Sequence, residues 1–565
     1  MTRPGEIGAI RRARKPSLSV ALVYPNVYRV GMGNLGYQFL YQSLNSFPNV
    51  AVERFFLPDL SAGRSRSARQ AMSEESGRFL KNFQLIAFSV PFENDYPNIP
   101  GMLLAAGIPP MASDRTAWDP IVIAGGVSVS LNPEPIAPFL DLAFIGEIRD
   151  ETSAEATTFL SSLIEVMTDF SARRVDRKVF RKSLQHAPGV YIPSAYSFDY
   201  SANGAVAAIN VEQGFPHAVR ASKCRSEEAP VPVSVLFSPE AEFGASFLVE
   251  TNRGCGRGCR FCAGGWAHFP VRHAGFARFR KHVDEAIDSG RTIGLIGSDL
   301  AGRPDLEEML SHIVERGGKF SLSSIRPEGL TPGIIKLLAR TGQKTATLAP
   351  ETASPRMKKV IGKEIASERF YELVEQLVTA GIPNLRFYFM TGLPTENEED
   401  VESMVDFVMK SRKIFVEASR PLKKIGRIGV QINPFVPKPW TPFQWAPMLT
   451  VQELERRLRI IRKGLSGQPN LSVRVESARQ AAIQGLLSRG DRRIASAILE
   501  AAEHSDSWSG VIKKQSIDIH FYVHRERVAD EIFPWESVFH GITKKQLRTI
   551  YDRAMADASV FTDMP

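Results

Sequence analysis

Four short apolar runs punctuate residues 18–147: "LSVALVY" (18–24), "LIAFSV" (85–90), "PIVIAGG" (120–126) and "LAFIGE" (142–147). None contains a charged residue before its last position, and each is too short for a buried helix. They read as strands buried on both faces, as in a parallel sheet. The stretches between them leave room for helices, with 33–46 and 68–82 as the candidates. A Rossmann-like open parallel sheet is therefore expected over 1–165, binding its ligand beyond the carboxyl ends of the strands. Gly125 and Gly126 close the third run, where a large group needs close access to the backbone.

Residues 166–245 change character. The stretch "PGVYIPSAYSFDYSANGAVAAI" is rich in turn and β-forming residues and predicts a connector with a hairpin turning at Asn203–Gly204. From 246 a second alternation begins, with strand runs at 246–251, 292–297, 319–324, 345–350, 385–390 and 427–432. Between them lie helical patterns. Leu306, Met309, Leu310 and Ile313 share one face ahead of Gly317–Gly318. Phe370, Leu373, Val374 and Leu377 do the same between Ser367, a candidate N-cap, and Gly381. Six β/α units over 246–445 predict a partial (β/α)6 TIM-type barrel with its active site at the carboxyl ends of the strands. The remainder, 446–565, reads as a mainly helical C-terminal domain.

Composition narrows the class. A chain of 565 residues exceeds one ordinary core, and 43% hydrophobic with 23% charged residues is the balance of a soluble globular protein. No apolar run approaches the ~20 residues of a membrane span. The opening "MTRPGEIGAIRRARKPS" lacks an apolar stretch of signal-peptide length, and its basic cluster reads as a tail. Four cysteines, three of them clustered, do not make a disulfide framework, so a cytoplasmic location is expected. The net charge of +9 permits an anionic partner such as RNA, but the basic residues form no long block.

The candidate chemistry sits at 253–265, "RGCGRGCRFCAGG". Cys255, Cys259 and Cys262 follow directly on the first expected barrel strand. Three thiolates on a short loop can hold three irons of a [4Fe–4S] cluster and leave the fourth open for catalysis. Gly254, Gly256, Gly258, Gly264 and Gly265 let such a loop wrap tightly around a bulky group. A zinc knuckle, completed by His268 or His273, is the structural alternative.

The CxxxCxxC spacing, with Phe261 before the last cysteine, resembles the radical SAM superfamily, and the resemblance extends over about 246–445. It implies S-adenosylmethionine (SAM) on the open iron and its reductive cleavage to a 5′-deoxyadenosyl radical, with a donor such as flavodoxin or ferredoxin. Gly297, Ser298 and Asp299 stand where the family binds the methionine moiety, usually with Gly-Gly-Glu. Ser324 and Arg326, in "SSIRPE", fall at the ribose and carboxylate contacts, and Glu351, in "APETAS", at the ribose hydroxyls. The run "INPFVPKPWTPFQW" (432–445) also resembles a segment found after the sixth strand. The plainer readings are an Arg326–Glu351 ion pair at the barrel rim and a packed loop.

The N-terminal region resembles the cobalamin-binding domain fused to many of these enzymes. Ser89 stands in its Ser-x-Leu position, and Gly125 and Gly126 where a glycine pair meets the nucleotide tail. In "NVYRVG" (26–31), however, Asn26 and Tyr28 replace the Asp and axial His of the family's Asp-x-His-x-x-Gly. Tyr28 would sit near the cobalt's lower face, and a neutral phenol is a poor metal ligand beside imidazole. The resemblance thus leaves two states open: cobalamin with no protein nitrogen below the cobalt, or a scaffold that has lost it.

Cysteine count bears on the reaction. Methylthiotransferases of this superfamily need a second cluster, and members that methylate RNA through cysteine need two more thiols. Only Cys224 remains. The resemblance therefore implies cobalamin-dependent methyl transfer to an unreactive carbon of a small-molecule or peptide substrate, with no membrane and no demand for nucleic acid. Cyclisation or rearrangement without methyl transfer is the near alternative. A non-catalytic Fe–S or zinc protein binding RNA is the distant one.

Overall fold

The computed structural model describes residues 3–10, 16–59, 71–148, 159–224, 231–322, 325–504 and 507–559. Two compact units emerge: Met1–Ser246 with Leu486–Tyr522 and Asp530–Gly541, and Phe247–Gly485 with Val523–Ala529 and Ile542–Pro565. The break after Ser246 falls where the second alternation begins. The 446–565 segment, read from sequence as one helical domain, is instead divided between the two units.

In the first unit, β1 (Leu18–Val27), β2 (Val50–Leu57), β3 (Leu85–Ser89), β4 (Ile121–Gly125), β5 (Leu142–Phe144) and β6 (Val190–Tyr191) form one sheet. Their order is β2-β1-β3-β4-β5-β6. The first five run parallel and β6 closes the edge antiparallel. The four expected strands are all present. β2 escapes a hydrophobicity reading because Glu53 and Arg54 interrupt "VAVERFFL". Arg54 is nevertheless fully buried, its guanidinium 2.6 Å from Glu75 and 2.5 Å from Glu6, as a buried charge requires.

The helix expected at 33–46 spans Leu35–Asn45, where the Asn34 side chain accepts from the Tyr37 N–H. No helix fills the described part of 68–82. Residues 60–70 lie outside the described residues, and Met72 and Phe79 form an antiparallel bridge around Gly77 (φ +72°), with one 3-10 turn at Leu80–Asn82. The hairpin is present as β7 (Tyr196–Tyr200) and β8 (Val206–Val211), with Gly204 at φ +85° in its turn, and the two-residue strand β9 (Val219–Arg220) follows it.

The second unit holds two four-stranded sheets. One is ordered β11-β10-β12-β13, with β10 (Phe247–Arg253), β11 (Arg272–His273), β12 (Ile293–Gly297) and β13 (Phe320–Leu322). The other is ordered β14-β15-β16-β17, with β14 (Thr345–Glu351), β15 (Asn384–Thr391), β16 (Ile428–Pro434) and β17 (Leu471–Val475). Within each sheet the strands pair in parallel, except for the short β11. All six expected barrel strands are there. β17 is an addition: "LSVRV" alternates polar and apolar residues as an edge strand does, inside a stretch read as helical.

The second sheet has a dry face and a wet face. Leu385, Phe387 and Phe389 on β15, with Ile428, Val430 and Ile432 on β16, are buried. Phe387 and Phe389 meet Phe407 of the Glu398–Ser419 helix, and Phe407 also meets Phe370 of the Ser367–Thr379 helix. Arg386, Tyr388, Gln431 and Asn433 occupy the opposite, partly open face. Helices covering the apolar face of a parallel sheet are what a TIM-type barrel requires. The two helices predicted by periodicity bury all eight named apolar residues. Ser367, however, is the first helical residue of its helix, not the N-cap, which is Ala366.

Candidate active site

β10 delivers its chain straight into the cysteine loop. Gly254 makes the turn at φ +78°, where an added Cβ would lie 2.4 Å from the His268 carbonyl oxygen, so only glycine fits. The loop is closed by the Cys262 N–H on the Cys259 carbonyl at 3.2 Å and by the Trp266 indole N–H on the same oxygen at 2.9 Å. An added Cβ on Gly265 would be 3.9 Å from both the Cys255 Cβ and the Cys262 sulfur, so these two cysteines flank that residue. Around Gly256, Gly258 and Gly264 such a Cβ would meet open space. The loop therefore has room beside it.

Its sulfurs feel one another. Burial pushes the Cys255 and Cys262 thiols up, and the neighbouring sulfurs push in the same direction. The Arg257 N–H at Cys255 and the Gly265 and Gly264 N–H groups at Cys262 pull the other way. Binding to cationic iron favours the thiolate form of a cysteine and offsets such a rise. Among the described residues, no three His, Cys, Asp or Glu side chains converge as ligands to a single ion. The donor set itself, three soft sulfurs each free to take its own iron, suits a [4Fe–4S] cluster.

Charged groups surround the loop. The Arg326 Nη1 is 3.4 Å from the Cys259 sulfur, its Nη2 donates to Glu328 at 3.0 Å, and its Nε is buried without a partner. Arg257, inside the loop, donates to buried Asp299 at 2.9 Å. Asp299 also accepts the Gly302 N–H at 3.1 Å. Gly297 admits no side chain, since a Cβ would fall 2.0 Å from the Asn252 Oδ1. Ser298 is exposed, and Ser324 lies outside the described residues.

Glu351 ends β14 after a bulge and sits at φ +66°, a region costly for any residue with a side chain. Its carboxylate takes a hydrogen bond of 2.9 Å from the buried Lys363 ammonium, which also donates to the Ala349 carbonyl at 2.6 Å. The alternative reading, an Arg326–Glu351 pair, is not what forms: Arg326 pairs with Glu328 and Glu351 with Lys363. Lys363 and Arg257 were missed by the sequence reading. A lysine twelve positions after Glu351 follows no spacing rule, whereas Arg257 is legible as a charge inside the cysteine loop.

In the first unit, Ser89 and Gly125 are the partly exposed last residues of β3 and β4. Gly126 stands at φ +119°, where a Cβ would meet the Val90 oxygen at 2.4 Å. Tyr28 lies just after β1, within the Tyr28–Met32 helix. It is buried, its ring packs edge-on against Phe56 at 5.1 Å, and its hydroxyl donates to Glu6. The Arg3 guanidinium covers the ring at 3.9 Å. Asn26 donates to Asp95 at 2.8 Å.

A parallel barrel with a three-cysteine loop at the carboxyl end of its first strand defines a class. Residues 36–193 match the family model "Radical SAM proteins, N-terminal", and residues 249–408 match "Radical SAM superfamily". The chain belongs to the radical SAM superfamily.

Among its relatives is an uncharacterized protein of Methanocaldococcus jannaschii, 25% identical over 507 residues, which cover 88% of this chain and 94% of that one. The ribosomal protein uS12 methylthiotransferase of Thermodesulfovibrio yellowstonii is 25% identical over 174 residues, 28% of this chain and 40% of that protein. Of solved structures, the methyltransferase TsrM of Kitasatospora setae, with cobalamin and a [4Fe–4S] cluster bound, aligns at TM-score 0.48 and 14% identity, covering 96% of this chain and 99% of that one. OxsB, with aqua-cobalamin and SAM bound, aligns at TM-score 0.45 and 14% identity, covering 97% and 80%. No helix among the described residues is long and apolar enough to cross a membrane.

Proposed function

We propose that the protein is a cobalamin-dependent radical SAM methyltransferase acting on an unreactive carbon of a small-molecule or peptide substrate, reduced by a donor such as flavodoxin or ferredoxin. The observation that carries the cobalamin part is Gly125. An added Cβ there would meet nothing nearer than Phe144 at 3.6 Å, and its backbone is not in a glycine-only conformation. The chain's own packing does not require glycine at this strand end. Close approach of a ligand to the backbone gives the reason, at the edge where parallel sheets bind cofactors.

When bound, the cluster with SAM supplies a carbon-centred radical, and the corrin a transferable methyl group. The chain's residues position and shield these groups. Cys255, Cys259 and Cys262 hold iron. Arg326, beside Cys259, would meet the SAM carboxylate. Glu351, oriented by Lys363, retains an oxygen for the ribose hydroxyls. Tyr28, its hydroxyl already donating to Glu6, would border a bound corrin without serving as a metal ligand.

The test uses anaerobic protein, reconstituted with iron and sulfide, loaded with hydroxocobalamin and desalted. About one corrin per chain in the wild type, much reduced in Gly125→Val, supports the reading. So does label transfer from methyl-labelled SAM to substrate. Four-iron protein with no corrin would remove methyl transfer, and corrin with SAM cleavage but no label transfer would favour rearrangement.

A further inference from the structure

Arg260 lies inside the cysteine loop, between Cys259 and Phe261, yet none of its contacts is with the sulfurs. Its backbone N–H donates to the Ile361 carbonyl at 2.9 Å. Its Nη1 donates to the Lys359 and Val360 carbonyls at 2.8 and 3.0 Å. Those carbonyls end the Pro355–Val360 helix, so the guanidinium acts as that helix's C-terminal cap. Both terminal nitrogens also reach one Asp557 oxygen at 3.0 Å, in a pair only 11% and 27% exposed.

Asp557 belongs to the last described helix, Lys544–Ser559. The same helix places Tyr551 5.9 Å from Trp445 and 6.5 Å from Phe443, ring to ring, and Arg548 5.6 Å from the Trp445 ring. Phe443 and Trp445 belong to the Pro/aromatic segment that follows β16. One helix therefore touches both the cysteine loop, which leaves the first sheet of this unit, and the segment leaving its second sheet. A loop with five glycines between residues 254 and 265 has little stiffness of its own, and an anchor within it limits how far it can open.

We propose that the 544–559 helix is a working part of the active site: Asp557 and Arg260 are positioning residues that fix the cysteine loop and thereby set the cluster's environment. The proposal rests on the three cysteines as iron ligands. Its first readout, however, is independent of iron.

Hydrogen exchange of the peptide covering 254–262 is measured in apoprotein, for the full chain and its Asp557→Asn and Asp557→Glu variants. Loss of a charge-assisted, partly buried pair should speed exchange at least about tenfold in Asp557→Asn, and Asp557→Glu should restore most of the protection. After reconstitution, the reduced cluster of Asp557→Asn should show a shifted electron paramagnetic resonance spectrum and midpoint potential. Arg260→Gln should reproduce both effects, which covers the case in which Asp557→Asn does not fold. Wild-type exchange and an unchanged spectrum in a folded variant would overturn the proposal. A wild type that forms no iron–sulfur cluster would overturn the cluster reading, and the exchange experiment would still decide whether the clamp exists.

Discussion

The Lys363 ammonium lies 2.9 Å from the Glu351 carboxylate, and both side chains are largely withdrawn from water. Replacing Lys363 with Met leaves that carboxylate mostly buried and unpaired. A destabilisation of about 2 kcal/mol is expected, somewhat below the cost of breaking a fully buried pair. The double variant Lys363→Met with Glu351→Gln should recover most of it. Urea unfolding of the four proteins checks this, and an additive double variant would mean that the pair carries no coupling.

Glu351 pays for its position in backbone strain. At φ +66°, glycine should be more stable than alanine by about 1 kcal/mol, although both lose the contact with Lys363. Thermal unfolding of Glu351→Gly and Glu351→Ala compares them directly. Equal stability would mean that the left-handed conformation is not strained.

Gly125 and Gly126 should respond differently to the same change. Gly126→Ala places a Cβ 2.4 Å from the Val90 oxygen at φ +119° and should cost more than about 3 kcal/mol. Gly125→Ala should stay within about 1 kcal/mol of the wild type. A Gly125→Ala protein as unstable as Gly126→Ala would remove the argument that Gly125 is reserved for a ligand.

Asp95 gives the first unit a pH dependence. Burial lifts its carboxyl from 3.8 to about 6, opposed by the hydrogen bond from Asn26, and one of its oxygens has no partner. With the folded pKa above the unfolded one, the folded state holds the extra proton between those values. Stability from this group is therefore lost as pH rises through about 6. Asp95→Asn should remove the penalty, gaining at most about 3 kcal/mol at about pH 8 relative to acid conditions near pH 4. A gain that does not grow with pH would contradict this.

Much of this architecture could be read from hydrophobic pattern, because strands buried on both faces leave unbroken runs such as 18–24 and 120–126. β2 was hidden because its central Arg54 is buried by pairing with Glu75 and Glu6, partners distant in sequence. β17 is hidden because an edge strand keeps polar residues, and 68–82 reads as helical because composition does not reveal a Gly77 turn. The site divides in the same way. Cysteine spacing is local and legible, whereas Lys363 at Glu351 and Asp557 at Arg260 are meetings of remote segments. Tyr28 showed the opposite limit: its place after β1 was visible, but not that Glu6, 22 residues earlier, holds its hydroxyl.

The most direct measurement of the central claim is 5′-deoxyadenosine release from SAM by the reduced, reconstituted protein, alongside a variant with Cys255, Cys259 and Cys262 all changed to Ala. The account expects about four irons per chain and clear release in the wild type, and neither in the variant. Wild-type protein that carries its cluster and releases no 5′-deoxyadenosine, or a variant that releases as much, would contradict it.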